Sequence, residues 1–172
     1  MTFWFYMNGA RPGKITFYVR NLKTNEKFEL WSVFENDFGK EWQFGSFGFY
    51  INDPYIVLIE GKSANITAQG VIALDTIIFR ASDYCSIQPL SALSTDSLPV
   101  PSKPITTTRV PQTTLQPPLY DCNFEKGFCN WKNDMNRPMQ WLRNRGQTST
   151  FDTGILKFIT IFNSNSITYY MH

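Results

Sequence analysis

Six residues lie between Cys122 and Cys129 in "YDCNFEKGFCNW", Tyr120–Trp131. Two thiols in one short segment can form a redox couple, hold a metal ion or close a disulfide. A thioredoxin-type couple has two intervening residues, and zinc-binding pairs usually have two to four. The single histidine is His172, the last residue, so histidine cannot complete a zinc site. The spacing favours a disulfide closing a short hairpin over metal ligation or a catalytic cysteine. On the chain-entropy account such a small ring contributes about 2–3 kcal/mol. A disulfide also implies an oxidising compartment. Cys85 is the third cysteine. An odd cysteine in a secreted protein points to a missing partner, and the plainer reading is a free, partly exposed thiol.

Other candidate groups offer little chemistry. His172 cannot anchor a Ser-His-Asp arrangement from a terminal position. Asp75 lies within "IALDTIIF", with apolar residues on both sides. An isolated strand aspartate is more often a turn or backbone-bonding residue than a general base. "GSFG" at Gly45–Gly48 lacks the lysine and the spacing of a phosphate loop. Asn65 opens the triplet "NIT", an N-glycosylation acceptor in a turn between two strands. Trp4, Trp31, Trp42, Trp131 and Trp141 could form a sugar-stacking platform, but aromatic-rich sheets more often use such residues as core. No enzyme, cofactor or metal site is expected.

These residues sit on a chain of 172 residues, enough for one domain or two small ones. Charge is nearly balanced, with 16 Lys+Arg against 14 Asp+Glu, which argues against a nucleic-acid footprint. Aromatics reach 16%, a level that points to β structure. No apolar run approaches the roughly 18–20 residues of a membrane span. "MTFWFYMNGARPG" has neither a basic leader nor a small-residue cleavage site, and the chain reads as a fragment.

Five stretches read as strands: Lys14–Asn21, Phe28–Phe34, Trp42–Ile51, Tyr55–Gly61 and Val71–Phe79. They are short, β-branched or aromatic, and separated by turn signals such as "NGARPG", "KTNE" and "GKSAN". Strands at this spacing predict an all-β sandwich or barrel. Residues 86–119 hold seven of the ten prolines and none of the 28 aromatics. Such a segment cannot bury enough apolar area to offset its ordering entropy, and reads as a disordered Ser/Thr/Pro-rich linker. Its composition suits an O-glycosylated stalk as well as a plain spacer.

"CNFEKGFCNW" resembles the opening of a MAM domain, the extracellular module of meprins, neuropilins, receptor-type tyrosine phosphatases and zonadhesin. The pattern C-x-F-E-x-G-x-C-x-W is matched by Cys122, Phe124, Glu125, Gly127, Cys129 and Trp131. Trp141, Arg143 and "TSTFDTG" are similar to the family's continuation. Residues 2–85 resemble the later half of the same domain, and "GVIALDTIIF…C", with Ala73, Leu74 and Asp75, resembles its closing strand. The resemblance implies a jelly-roll β-sandwich in incomplete pieces. Residues 1–85 would be the back of one module, 86–119 the linker, and 120–154 the front of the next. After Gly154 the sequence departs from the family, and 155–172 reads as an aberrant or truncated tail.

The resemblance further implies that Cys122 and Cys129 are paired and that the partner of Cys85 is missing. Phe124 and Trp131 would pack the second sandwich, with Glu125 accepting backbone or turn hydrogen bonds. Half-sandwiches with open edges would be marginally stable. The implied function is a non-catalytic extracellular adhesion or protein-interaction module of a larger secreted or cell-surface protein. Its partners would be other extracellular proteins, including homophilic contacts. The alternatives are a carbohydrate-binding sandwich and the accessory domain of a secreted metalloprotease.

Overall fold

The computed structural model describes residues 1–9, 12–34, 38, 41–62, 70–80, 86–92, 121–137, 140–145, 157–161 and 167–171. Asn65, Cys85 and most of the Ser/Thr/Pro-rich stretch lie outside them, as does the "TSTFDTG" element.

The first segment supplies β1 (Thr2–Gly9), β2 (Lys14–Asn21), β3 (Lys27–Phe34), β4 (Gln43–Ser46), β5 (Tyr55–Lys62) and β6 (Gly70–Ile78). The second supplies β7 (Trp131–Asn133), β8 (Leu142–Arg145), β9 (Lys157–Ile161) and β10 (Ile167–Met171). Two antiparallel sheets result, in the orders β4-β1-β6-β9-β8 and β3-β2-β5-β10-β7. Each sheet therefore takes three strands from residues 1–78 and two from residues 131–171. The chain is an all-β sandwich, and both sequence segments share it.

Period-two alternation builds the layer between the sheets. Phe3, Phe5 and Met7 of β1, and Ile15, Phe17 and Val19 of β2, are completely buried. Phe3 stacks on Phe17 at 4.3 Å, and Trp31 meets Phe3, Phe5 and Phe17 edge-on at 4.9, 5.2 and 5.5 Å. Edge-to-face contacts suit the ring quadrupole and add to the area term. Gly45 makes this possible: a Cβ there would fall 2.3 Å from the Phe3 ring. Cys122, Phe124, Trp131 and Trp141 belong to the same buried cluster.

The β2–β3 turn follows its residue chemistry. The Asn21 side-chain oxygen accepts from the amides of Lys23 and Thr24, and Asn25 takes the left-handed conformation at φ 62°. Asparagine tolerates both roles better than other non-glycine residues.

Two expectations need revision. The β6 and β5 edges of the first segment are not open, because β9 and β10 pair with them. These two strands lie within 155–172, the stretch expected to be an aberrant or truncated tail. Residues 86–92, which the expected linker includes, make contacts with the first segment. Residues Ser46 and Gln88 exchange backbone hydrogen bonds of 3.1 and 2.9 Å, the Trp31 indole donates to the Gln88 carbonyl, and Ala92 is fully buried. Proline-rich composition sets the average behaviour of a segment, but a few residues within it can still pair with an available edge.

Candidate functional site at the seam between the two segments

Asp75 sits at a bulge. Trp4 pairs with Asp75, but Thr2 pairs with Ile78, so β6 carries one extra residue there. That residue, Thr76, has φ 49°, and its amide donates to the Asp75 carboxylate at 2.6 Å. The consequence is a change of face. Before the bulge the even-numbered Ile72 and Leu74 enter the core; after it the odd-numbered Ile77 does. A single inserted residue inverts the alternation of everything that follows. Within Ala-Leu-Asp each residue thus has a distinct position. Ala73 packs outward with Tyr6 and Val71, Leu74 points inward, and Asp75 holds the bulge.

Beyond the bulge, Ile77 meets the second segment. The amide of Ile77 donates to the Cys122 carbonyl, and the amide of Cys122 donates to the Ile77 carbonyl, both at 2.8 Å. Two residues further on, the Phe79 amide donates to Asp121 Oδ1 at 2.8 Å, and Arg80 donates to Asp121 Oδ2 at 3.1 Å. The Phe79 ring lies 6.5 Å from Trp131. The first residues of the disulfide hairpin are therefore an extension of the β6 ladder.

Cys122 and Cys129 are bonded, with Cα atoms 5.8 Å apart. The loop is tight enough that Phe124 and Cys129 have φ values of 55° and 54°. The Asn123 side chain accepts from the Glu125 amide, and Arg143 donates to the Glu125 carbonyl. Phe124, Trp131 and Trp141 are 4%, 3% and 1% exposed, so these motif residues are core rather than contact surface. Gly127 has open space where a Cβ would go, and nothing in the structure explains a glycine there.

Asn133 was not singled out from the sequence. Its side-chain amide donates to the Trp141 carbonyl and accepts from the Trp141 amide. It imitates a strand partner and ties β7 to the residue before β8, on opposite sheets. A lone asparagine between polar neighbours gives no sign of this.

The outer faces differ in character. On the first sheet Trp4 and Phe44 pair edge-on at 5.6 Å and remain 42% and 44% exposed. Trp42 covers Tyr6 at 5.7 Å. Trp31, in contrast, is wholly buried, which removes it from any sugar-stacking surface. On the second sheet Tyr18 donates to Glu60, and Lys27 sits 3.7 Å from the Tyr18 ring centroid. Burial, then the Glu60 charge, pushes the Tyr18 phenol up to about 12. Asp53, hydrogen-bonded by Lys23 and Asn21, is held below its ordinary value.

Among the described residues no group of three or more His, Cys, Asp and Glu side chains could hold a metal. No helix among them is long and apolar enough to cross a membrane.

The fold is a two-sheet antiparallel β-sandwich with a hairpin disulfide. Residues 1–86 match the family model described as MAM domain, meprin/A5/mu, which covers half of the chain. The chain belongs to the MAM domain family. Members are extracellular or cell-surface modules of adhesion and protein interaction, and are generally not catalysts. No solved structure matches the chain.

Proposed function

We propose that the chain is a non-catalytic interaction portion of a larger secreted or cell-surface protein, engaging other extracellular proteins and copies of itself. The family match over residues 1–86 carries this reading. The Cys122–Cys129 bond supports an oxidising compartment. The exposed Trp4–Phe44 pair supports a contact surface on the first sheet, since aromatic side chains are enriched at the centre of interfaces. Beads coated with the chain should aggregate, and Trp4→Ser should reduce aggregation without unfolding. Dispersed beads at all chain densities would remove the homophilic part of the proposal.

We also read residues 1–85 as matching the back of one family unit and 120–154 the front of the next in sequence order, joined by the Ser/Thr/Pro-rich stretch, although the strands of both segments share one pair of sheets here. The order of motifs along the chain supports this, because the closing-strand motif precedes the opening one. Asn65 is proposed to carry an N-glycan and Cys85 to be unpaired with either other cysteine. Intact mass before and after glycosidase, and non-reducing peptide mapping, test the two claims.

The carbohydrate reading now rests on Trp4, Phe44 and Trp42, not on Trp31. Glycan-array binding lost in Trp4→Ala and Trp42→Ala, with folding retained, would favour it over protein contact.

A further inference from the structure

We propose that Arg20 and Lys27, side by side on the outer face of the second sheet, receive an acidic side chain of a partner protein. This goes beyond the adhesion reading, which rests on the aromatic surface of the first sheet. Different variants test the two surfaces, so either can fail without the other.

Arg20 of β2 is the partner of Lys27 of β3 in the antiparallel register. Directly opposite residues share a face and stand roughly 4.5–5.5 Å apart at Cβ, where like charges repel. The face is the outer one. Tyr18, two residues before Arg20, carries Lys27 Nζ 3.7 Å from its ring centroid and donates to Glu60. The alternate residues Phe17 and Val19 enter the core.

Two cations held together would ordinarily share a carboxylate. The acids at neighbouring positions all have other partners. Glu26 accepts from Thr24, Glu29 from Lys14 and Ser32, Glu60 from Tyr18, and Asp53 from Lys23 and Asn21. Among the described residues no carboxylate forms an ion pair with Arg20 or Lys27. Arg20 Nε is moreover buried without a hydrogen-bond partner. Leaving a buried donor of a charged group unmade is costly, and such an orphan calls for a bound acceptor.

The acceptor that fits is a carboxylate. A guanidinium offers Nε–H and a terminal N–H in parallel, a fork that matches the two oxygens of an aspartate or glutamate side chain. Lys27 adds a point charge from across the strand pair. Arg20 is only partly buried and Lys27 is exposed, so the pair is reachable from solvent. Ile56, the partner of Arg20 on β5, is 1% exposed. A dry apolar neighbour screens the guanidinium poorly and strengthens its pull on an anion.

The probe is a hexaglutamate peptide blocked at both ends, titrated into the full chain at low salt by calorimetry, with blocked hexaglutamine as the uncharged control. Hexaglutamate should bind, hexaglutamine should not, and added salt should weaken the binding. Arg20→Gln and Lys27→Gln should each weaken it about 10-fold, through loss of one charge-assisted contact. Lys27 is exposed, so its variant keeps the test open even where Arg20→Gln fails to fold. Lys132→Gln removes the same charge from β7, at the opposite edge of the sheet from β3, and should leave binding unchanged. The Arg20 Nε–H resonance should shift when hexaglutamate is added, a readout that a purely structural role would not move. Absence of hexaglutamate binding overturns the proposal, as does binding that Lys27→Gln leaves intact. Equal binding of hexaglutamine, or equal weakening by Lys132→Gln, overturns it too. A sulfated polysaccharide that binds through Arg20 and Lys27 where hexaglutamate does not replaces the protein partner with a glycan. None of these outcomes bears on bead aggregation through Trp4.

Discussion

Ile77 and Cys122 exchange two backbone hydrogen bonds of 2.8 Å, joining the last strand of the first segment to the first cysteine of the second. The pairing depends on the bulge at Asp75 and Thr76, which turns Ile77 toward the core. It depends equally on the disulfide, which holds the Cys122 backbone in place. Bulge, bridge and disulfide act as one joint.

Breaking the disulfide should loosen the seam. Cys122→Ser/Cys129→Ser is expected to lose about 2–3 kcal/mol, from the unfolded-state entropy of a small loop. Denaturant unfolding measures this. Hydrogen exchange at Ile77 should rise more than at Phe17.

Asp75→Ala should leave the Thr76 amide without the carboxylate and cost about 1–2 kcal/mol, whereas Asp75→Asn should retain most of the stability through its amide oxygen. Thr76→Gly relieves a left-handed β-branched residue and should stabilise by about 0.5–1 kcal/mol. Thermal unfolding of the three variants checks the order.

Gly45→Ala places a methyl group 2.3 Å from the Phe3 ring. Overpacking should cost about 1–3 kcal/mol. Adding Phe3→Leu should recover part of the loss, a non-additivity that unfolding of the double variant measures.

Trp31→Ala and Trp4→Ala should differ sharply. Trp31 is fully buried among Phe3, Phe5 and Phe17, so truncation should cost about 3–5 kcal/mol. Trp4 is 42% exposed, and its loss should cost less than about 1.5 kcal/mol. Chemical denaturation compares them.

Alkaline pH should destabilise the fold through Tyr18. Burial and Glu60 raise its folded value from 10.0 to about 12. The folded state then holds the proton more tightly than the unfolded chain. That contribution is fully present below pH 10 and is lost as pH rises through about 12. Tyr18→Phe should flatten the stability curve over this window.

Much of the fold was legible in residue order. Alternation in "KITFYVRN" predicts a strand with one apolar face, and Ile15, Phe17 and Val19 take that face, whereas β1, an unbroken apolar run from Phe3 to Met7, is not among the strands read from local pattern. The spacing of Cys122 and Cys129 predicted a hairpin disulfide, and the bond is present. The role of Asp75 was only half legible. Its carboxylate does serve the backbone, but no local pattern marks Thr76 as the bulge. Trp4 and Trp31 could not be told apart by type, because burial depends on which face of which sheet is covered.

The sequence alone determined the all-β class, the family, the sulfur bond and the compositional break at residue 86. The class, the bond and the break follow from side-chain alternation, ring closure over a short loop and apolar content, all of which are local, and the family from the resemblance of the Cys122–Trp131 motif. The tertiary structure decided that residues 121–171 complete the sheets of residues 1–78. It also decided which aromatics face water. Strand neighbours are chosen by pairing between residues far apart in the chain, and no local periodicity encodes which edge a strand will meet.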